Sequence, residues 1–153
     1  MTIDDYSQLS PDLVIRAVES TGRISDARVM ALNSYENRVY QIGIEDEKPI
    51  IAKFYRPARW QTAQIIEEHH FCQALAAAEL PIVAPLVDDS NQQSLFEFEG
   101  YRFALFQRKG GQAPEAGDLE QIHRIGMLLG RVHAIGKQQD FIARPRLTIE
   151  RFL

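Results

Sequence analysis

With 45% hydrophobic and 25% charged residues, a chain of 153 residues has the balance of an ordinary globular protein and the length for one sizeable core. A net charge of −4, from 17 basic and 21 acidic residues, argues against nucleic acid as a partner. The single cysteine, Cys72, rules out an intrachain disulfide, and neither a secretory leader nor an apolar run of about 18 residues occurs, so the expectation is a cytoplasmic protein with no membrane partner.

Residues 10–22, "SPDLVIRAVESTG", carry helix punctuation: Ser10 to cap, Pro11 for the first helical position, Asp12 for the positive helix end and Gly22 to stop it. Val14, Ala17 and Val18 give that helix an apolar side. The pattern then changes to short segments rich in β-branched and aromatic residues, 27–33, 38–44 and 49–55, which predict strands. Polar loops, "SYEN" and "EDEK", separate them and favour antiparallel neighbours. Residues 58–79 lack Gly and Pro and predict a long helix, with Ile65, Phe71, Cys72 and Leu75 on one face and Pro81 closing it. Strands are expected at 82–88, 94–99 and 101–108, the last two joined tightly through Gly100. The linker "KGGQAPEAG" (109–117) leads to a second long helix that Asp118 can cap, with Ile122, Ile125, Leu129 and Val132 on its apolar side. The connections are too short for parallel crossovers, so the class is α+β, an antiparallel sheet with one crossing helix.

Lys53 stands out within "KPIIAKFYRP". Alternation puts Ile51, Lys53 and Tyr55 on one face of the strand and Ile50, Ala52 and Phe54 on the other. A lysine so placed either protects a sheet edge or serves a cleft. Glu68 falls on the apolar stripe of the 58–79 helix, where a carboxylate needs a partner, and Lys53 is the nearest candidate. A rotated helix would instead expose Glu68 and turn Glu67 inward. The loop Ser34-Tyr35-Glu36-Asn37 offers a hydroxyl and N–H groups to phosphate oxygens, or forms a plain hairpin turn. His69 and His70 read as a solvated helix face, since no H-E-x-x-H spacing exists, and Cys72 as a small buried hydrophobe. Arg56, Arg59, Arg102, Arg108 and Lys109 read as scattered, solvated surface charges.

The order strand–loop–strand, lysine strand, glutamate helix, strands, Gly-containing linker and helix resembles the protein-kinase-like fold. Within it, "NSYENRVYQI", "IIAKFYRP", "IIEEHHFCQALAAAELPIVAPL", "FALFQRKGG" and "IGMLLGRVHAIG" resemble the aminoglycoside phosphotransferase and choline kinase branch. The nearest likeness is to the bacterial stress response kinase A family, which phosphorylates protein Ser/Thr. The resemblance implies a kinase-like N-lobe over 1–106, a hinge over 107–117 and the first helix of an incomplete, α-helical C-lobe over 118–153. It implies ATP with Mg²⁺ as cofactor, a protein substrate, and ATP binding by Lys53, Glu68, Ser34, Tyr35, Glu36, Asn37, Phe106, Gln107, Arg108 and Lys109. In these roles Lys53 contacts the phosphates and Glu68 holds it, Phe106 walls the adenine, and the backbone of 107–109 bonds its edge. The loop contains no glycine, unlike the G-x-G-x-x-G of protein kinases.

The catalytic segment of this branch, H-G-D-x-x-x-x-N followed by a D-x-D-like run, does not occur in the 153 residues. The expectation is a truncated kinase whose metal ligands and catalytic aspartate lie elsewhere, inactive alone and prone to self-association through the apolar side of its last long helix. A small-molecule kinase acting on an aminoglycoside, choline-like or sugar alcohol is the alternative, and a non-catalytic nucleotide-binding module another.

Overall fold

The computed structural model describes residues 5–151. By packing, the chain divides into two compact units: the residues up to Gln61 with Val83–Gly110, and Thr62–Ile82 with the residues from Gly111 onward.

The first unit is built on a five-stranded antiparallel sheet in the order β1-β2-β3-β5-β4, comprising β1 (Ser25–Leu32), β2 (Arg38–Ile44), β3 (Ile50–Phe54), β5 (Tyr101–Gln107) and β4 (Phe96–Phe98). A helix, α1 (Pro11–Glu19), precedes it. The Ser10 side chain accepts the Leu13 N–H at 3.2 Å and Pro11 takes the first turn, so the punctuation operates as the sequence suggests. Gly22, at φ +88°, turns the chain out of this region into β1.

Leu13, Val14, Ala17 and Val18 of α1 are buried in one core cluster with Ile42, Ile44, Ile50, Ala52, Phe54, Tyr101, Phe103 and Leu105. This fixes the two faces of the sheet. Ile50, Ala52 and Phe54 point into that core, while Ile51 and Lys53 between them are half-buried on the other side. Glu99 and Gly100, both at positive φ, form the two-residue turn between β4 and β5, as the twist of a tight hairpin requires.

Residues 82–88 do not form the expected strand. Only Pro85 bridges to Phe106, and Leu86 N–H donates to Leu105 O at 2.7 Å. Pro81 precedes the segment and Pro85 sits in its middle, and prolines have no N–H to extend a ladder.

In the second unit α2 (Thr62–Ala77) begins later than 58, because residues 57–61 turn through Ala58 at φ +58°. Ile65, His69 and Leu75 are its buried positions. Its end is a double clasp, with Leu80 N–H bonded to Leu75 O at 3.1 Å and Glu79 N–H to Ala76 O at 2.9 Å. Glu79 adopts φ +59° to make it, a conformation that favours glycine. Glu79→Gly is therefore expected to stabilise the protein by about 1 kcal/mol, read as a higher denaturation midpoint.

Helix α3 (Leu119–Gly136) is capped by Asp118, whose carboxylate accepts the Glu120 and Gln121 N–H groups at 3.0 Å each. None of its residues is buried, and Ile122, Ile125 and Leu129 are exposed while Val132 is half-buried. A short 3-10 turn, Ile149–Arg151, follows.

Candidate functional site

Lys53 lies at the centre of the sheet face that α1 does not cover. Across the ladder it stands beside Val39 of β2 and Ala104 of β5. Leu32, Ile51 and Phe106 share this face, which gives it an apolar floor. The Lys53 Nζ sits 4.6 Å from the centroid of the buried Tyr55 ring, so the predicted grouping of Ile51, Lys53 and Tyr55 holds.

The loop 34–37 enters β2 two residues before Val39 and is tied down at several points. The Ser34 hydroxyl donates to Asn37 O at 2.5 Å and closes the loop on itself. Asn37 Oδ1 accepts the Arg56 N–H at 3.3 Å. The Glu36 carboxylate accepts from Arg59 Nε at 2.5 Å, and the Arg59 guanidinium stacks on Trp60 with its Cζ 4.7 Å from the ring centroid. Tyr35 is fully exposed at the tip. Arg59 is thus a loop tether rather than the solvated surface charge the sequence suggests. Arg102, read in the same way, is half-buried and donates to Trp60 O at 2.6 Å. In both cases the partner is far along the chain, so spacing gave no signal.

Tyr6 is the tether that sequence reasoning missed. Its hydroxyl is shared between Glu36 O at 3.2 Å and Phe54 O at 3.1 Å, joining the loop to the end of the lysine strand. The ring stacks parallel to Tyr101, and the Arg38 guanidinium lies 4.8 Å above it. Burial, opposed in part by Arg38, pushes the phenol up to about 12 from 10.0. The raised value means that this contribution to stability is complete below pH 10 and lost as pH rises toward 12. Tyr6→Phe should cost about 1 kcal/mol of stability in denaturant unfolding and abolish the latest phenolate transition in an alkaline absorbance titration.

At the other margin of the face, Phe106 is half-buried opposite Ile51, and Gln107, Arg108 and Lys109 are exposed where β5 runs out. Arg108 Nε donates to Gln41 Oε1 at 2.8 Å.

In the second unit both glutamates of α2 are half-buried, and each is engaged. Glu68 pairs with the Arg144 guanidinium. Glu67 accepts the backbone N–H groups of Ile142 at 2.5 Å, Ala143 at 3.2 Å and Arg144 at 2.8 Å. Burial disfavours the Glu67 anion, but these donors outweigh it and hold the carboxyl below its ordinary value. Arg144 also donates from Nε to Gln64 O at 2.9 Å, so it staples the segment after α3 to α2. The sequence weighed Glu67 and Glu68 as rivals for an inward role, whereas the structure gives each its own set of donors. His69, expected on a solvated face, is fully buried, and His70 is exposed. The reason is phase: His69 follows buried Ile65 by four residues. Cys72 is half-buried.

Among the described residues, no group of three or more His, Cys, Asp or Glu side chains gathers to hold a metal ion, and no helix is long and apolar enough to cross a membrane.

Comparison with known proteins gives this geometry a context. The chain is 40% identical over 148 residues to stress response kinase A of Escherichia coli strain K12, covering 97% of this chain and 44% of that protein. It is 39% identical over 148 residues to serine/threonine protein kinase RdoA of Salmonella typhimurium, with the same coverage. The chain thus spans less than half the length of these relatives. Among solved structures, an amicoumacin kinase in complex with AMP-PNP, Ca²⁺ and Ami superposes with a TM-score of 0.68 at 17% identity, over 82% of this chain and 41% of that one. That likeness shows a kinase-like fold, in keeping with an antiparallel sheet joined to helices. Residues 28–153 match the model of the phosphotransferase enzyme family, and the chain belongs to that family.

Proposed function

We propose that this chain is the ATP-binding part of a kinase of the stress response kinase A type, whose whole length transfers the γ-phosphoryl group of Mg·ATP to protein Ser/Thr hydroxyls. The observation that carries the reading is Lys53 on an apolar floor, on the face α1 leaves uncovered, beside a tethered loop. A flat apolar surface suits an adenine ring, and an ammonium at its centre suits the phosphates. The homologues' names and the nucleotide analogue held by the structural neighbour support the same reading.

In this assignment Lys53 binds the phosphates, and Glu68, by resemblance, is its carboxylate partner. The backbone of Ser34, Tyr35, Glu36 and Asn37 lies over the phosphates; the Ser34 hydroxyl is already given to Asn37 O. Phe106 flanks the adenine, and Gln107, Arg108 and Lys109 edge it. Residues 1–106 serve as the nucleotide-binding lobe, 107–117 as the hinge and 118–153 as the opening of the second lobe. The divalent cation, Mg²⁺ in this reading, takes its carboxylate ligands from outside these 153 residues. We place the protein in the cytoplasm. The exposed stripe of α3 gives the 153-residue chain a tendency to self-associate, readable by sedimentation.

Calorimetric titration of the chain with Mg·ATP tests the proposal. Saturable 1:1 binding without ATP turnover is expected, because the H-G-D-x-x-x-x-N run is not in this chain. Failure to saturate at millimolar ATP would reject it. An aminoglycoside, choline-like or sugar alcohol as acceptor is the second reading, favoured by the amicoumacin kinase likeness in fold. Offering protein and alcohol acceptors to an enzyme that continues this segment through a catalytic loop separates the two.

A further inference from the structure

The sheet face opposite Lys53 holds a cavity. It has a volume of about 600 Å³ and is bounded by the β2–β3 hairpin, the turn between α1 and β1, and the residues after β5. Ile44, Ile50, Pro49 and Leu86 supply an apolar floor. Arg23, Lys48 and Lys109 stand around it, with Glu47 as the one carboxylate in its lining. Arg108 also lines it, with its Nε held by Gln41.

Two features set this cavity apart from ordinary surface. First, among the described residues none of Arg23, Lys48 and Lys109 takes part in an ion pair, although acidic residues outnumber basic ones in the chain. Together with Arg108 these three cations outnumber Glu47, the one carboxylate in the lining, so the cavity carries an excess of positive charge even though Arg23 also feels Asp88, and an anion relieves that excess. Second, the floor lies beside the main core and is apolar, which rewards a ligand with an apolar body. The volume is in the range of small-molecule sites.

The neighbouring cavity, which shares Arg23, Glu47 and Leu86, contains Asp88 and Asp89. Asp88 is already occupied by the Ser90 N–H at 2.8 Å and the Ser90 hydroxyl at 2.6 Å. An anionic ligand is therefore directed away from that side and toward Lys48 and Lys109.

We propose that this cavity binds a small organic anion that joins a phosphate or carboxylate group to a ring-sized apolar body. The inference does not need the nucleotide reading: the cavity lies on the α1 side of the sheet, and none of Lys53, Phe106 and the 34–37 loop lines it, although Gln107, Arg108 and Lys109, set at the adenine edge above, also border it.

Phenyl phosphate is a suitable probe, followed through the amide resonances of the 153-residue chain. Shifts at Ile44, Ile50 and Leu86 are expected, undiminished by saturating Mg·ATP. Inorganic phosphate, lacking the ring, and benzyl alcohol, lacking the charge, should each bind at least tenfold more weakly. The double variant Arg23→Ala, Lys48→Ala should weaken phenyl phosphate at least tenfold with the remaining spectrum unchanged. Arg28→Ala, which removes a cation paired with Asp26 outside the cavity, should bind like the parent chain. Displacement of the probe by Mg·ATP, equal binding of inorganic phosphate or of benzyl alcohol, or full affinity in the double variant would each overturn the proposal. Should the double variant not fold, Lys48→Ala alone, at an exposed hairpin position, carries the same comparison.

Discussion

Lys53→Ala is expected to weaken Mg·ATP binding by roughly ten- to a hundredfold while leaving the fold intact. A hydrogen bond to a charged group contributes about 1.5–3 kcal/mol, and the triphosphate is the most highly charged part of the ligand. The core should not notice the change, because Lys53 points away from the face where Ala52 and Phe54 are fully buried. Lys53→Arg separates charge from geometry. It keeps a cation but spreads it over a planar fork, so it should restore only part of the affinity. Affinity unchanged in Lys53→Ala would remove the phosphate-binding role; the edge-protecting role is already excluded, because β3 is the central strand of the sheet and Lys53 is paired on both sides.

Phe103→Ala should produce the largest loss of stability. Phe103 is fully buried, its ring centroid 5.1 Å from that of Phe54 and 5.5 Å from that of Phe96, so one side chain binds β3, β4 and β5 together under α1. Truncating a buried phenylalanine costs about 3–5 kcal/mol through lost burial and the cavity left behind. Against a total of about 5–15 kcal/mol for a native domain, much of the folded population is at stake. The midpoint of thermal unfolding should fall by roughly 6–20 °C. Phe103→Leu, which refills most of the space, should lose far less, and Ile24→Ala, at a residue 63% exposed, almost nothing. A loss below about 1 kcal/mol in Phe103→Ala would mean that the three strands are held together elsewhere.

How much of this was readable in the sequence depended on the range of the interactions. The Ser10–Pro11 start of α1, the Asp118 cap of α3 and the tight turn at Gly100 are local, and the sequence placed them within a residue or two. The two-residue alternation of "IIAKFY" separated the core side from the Lys53 side correctly, since a strand allows no other arrangement. Residues 82–88 misled because β-branched residues suggested a strand, while Pro81 before it and Pro85 within it remove N–H donors and leave one bridge, Pro85 to Phe106. The tethers could not be read at all. Tyr6 reaches Glu36 and Phe54, Arg59 reaches Glu36, and Glu67 gathers the N–H groups of 142–144. Each joins positions more than 20 residues apart that only folding brings together. His69 was misjudged because a histidine pair beside glutamates looks polar, while helix phase buries one member and exposes the other.

The central question is which face of the sheet receives the nucleotide. Amide chemical-shift mapping of Mg·ATP on the 153-residue chain addresses it directly. The predicted result is a contiguous set of perturbations at Leu32, Ser34–Asn37, Val39, Ile51, Lys53, Ala104 and Phe106–Lys109, with Val14, Val18 and Ile42 unmoved. Perturbations centred on the α1 side of the sheet, or none at saturating millimolar nucleotide, would contradict it.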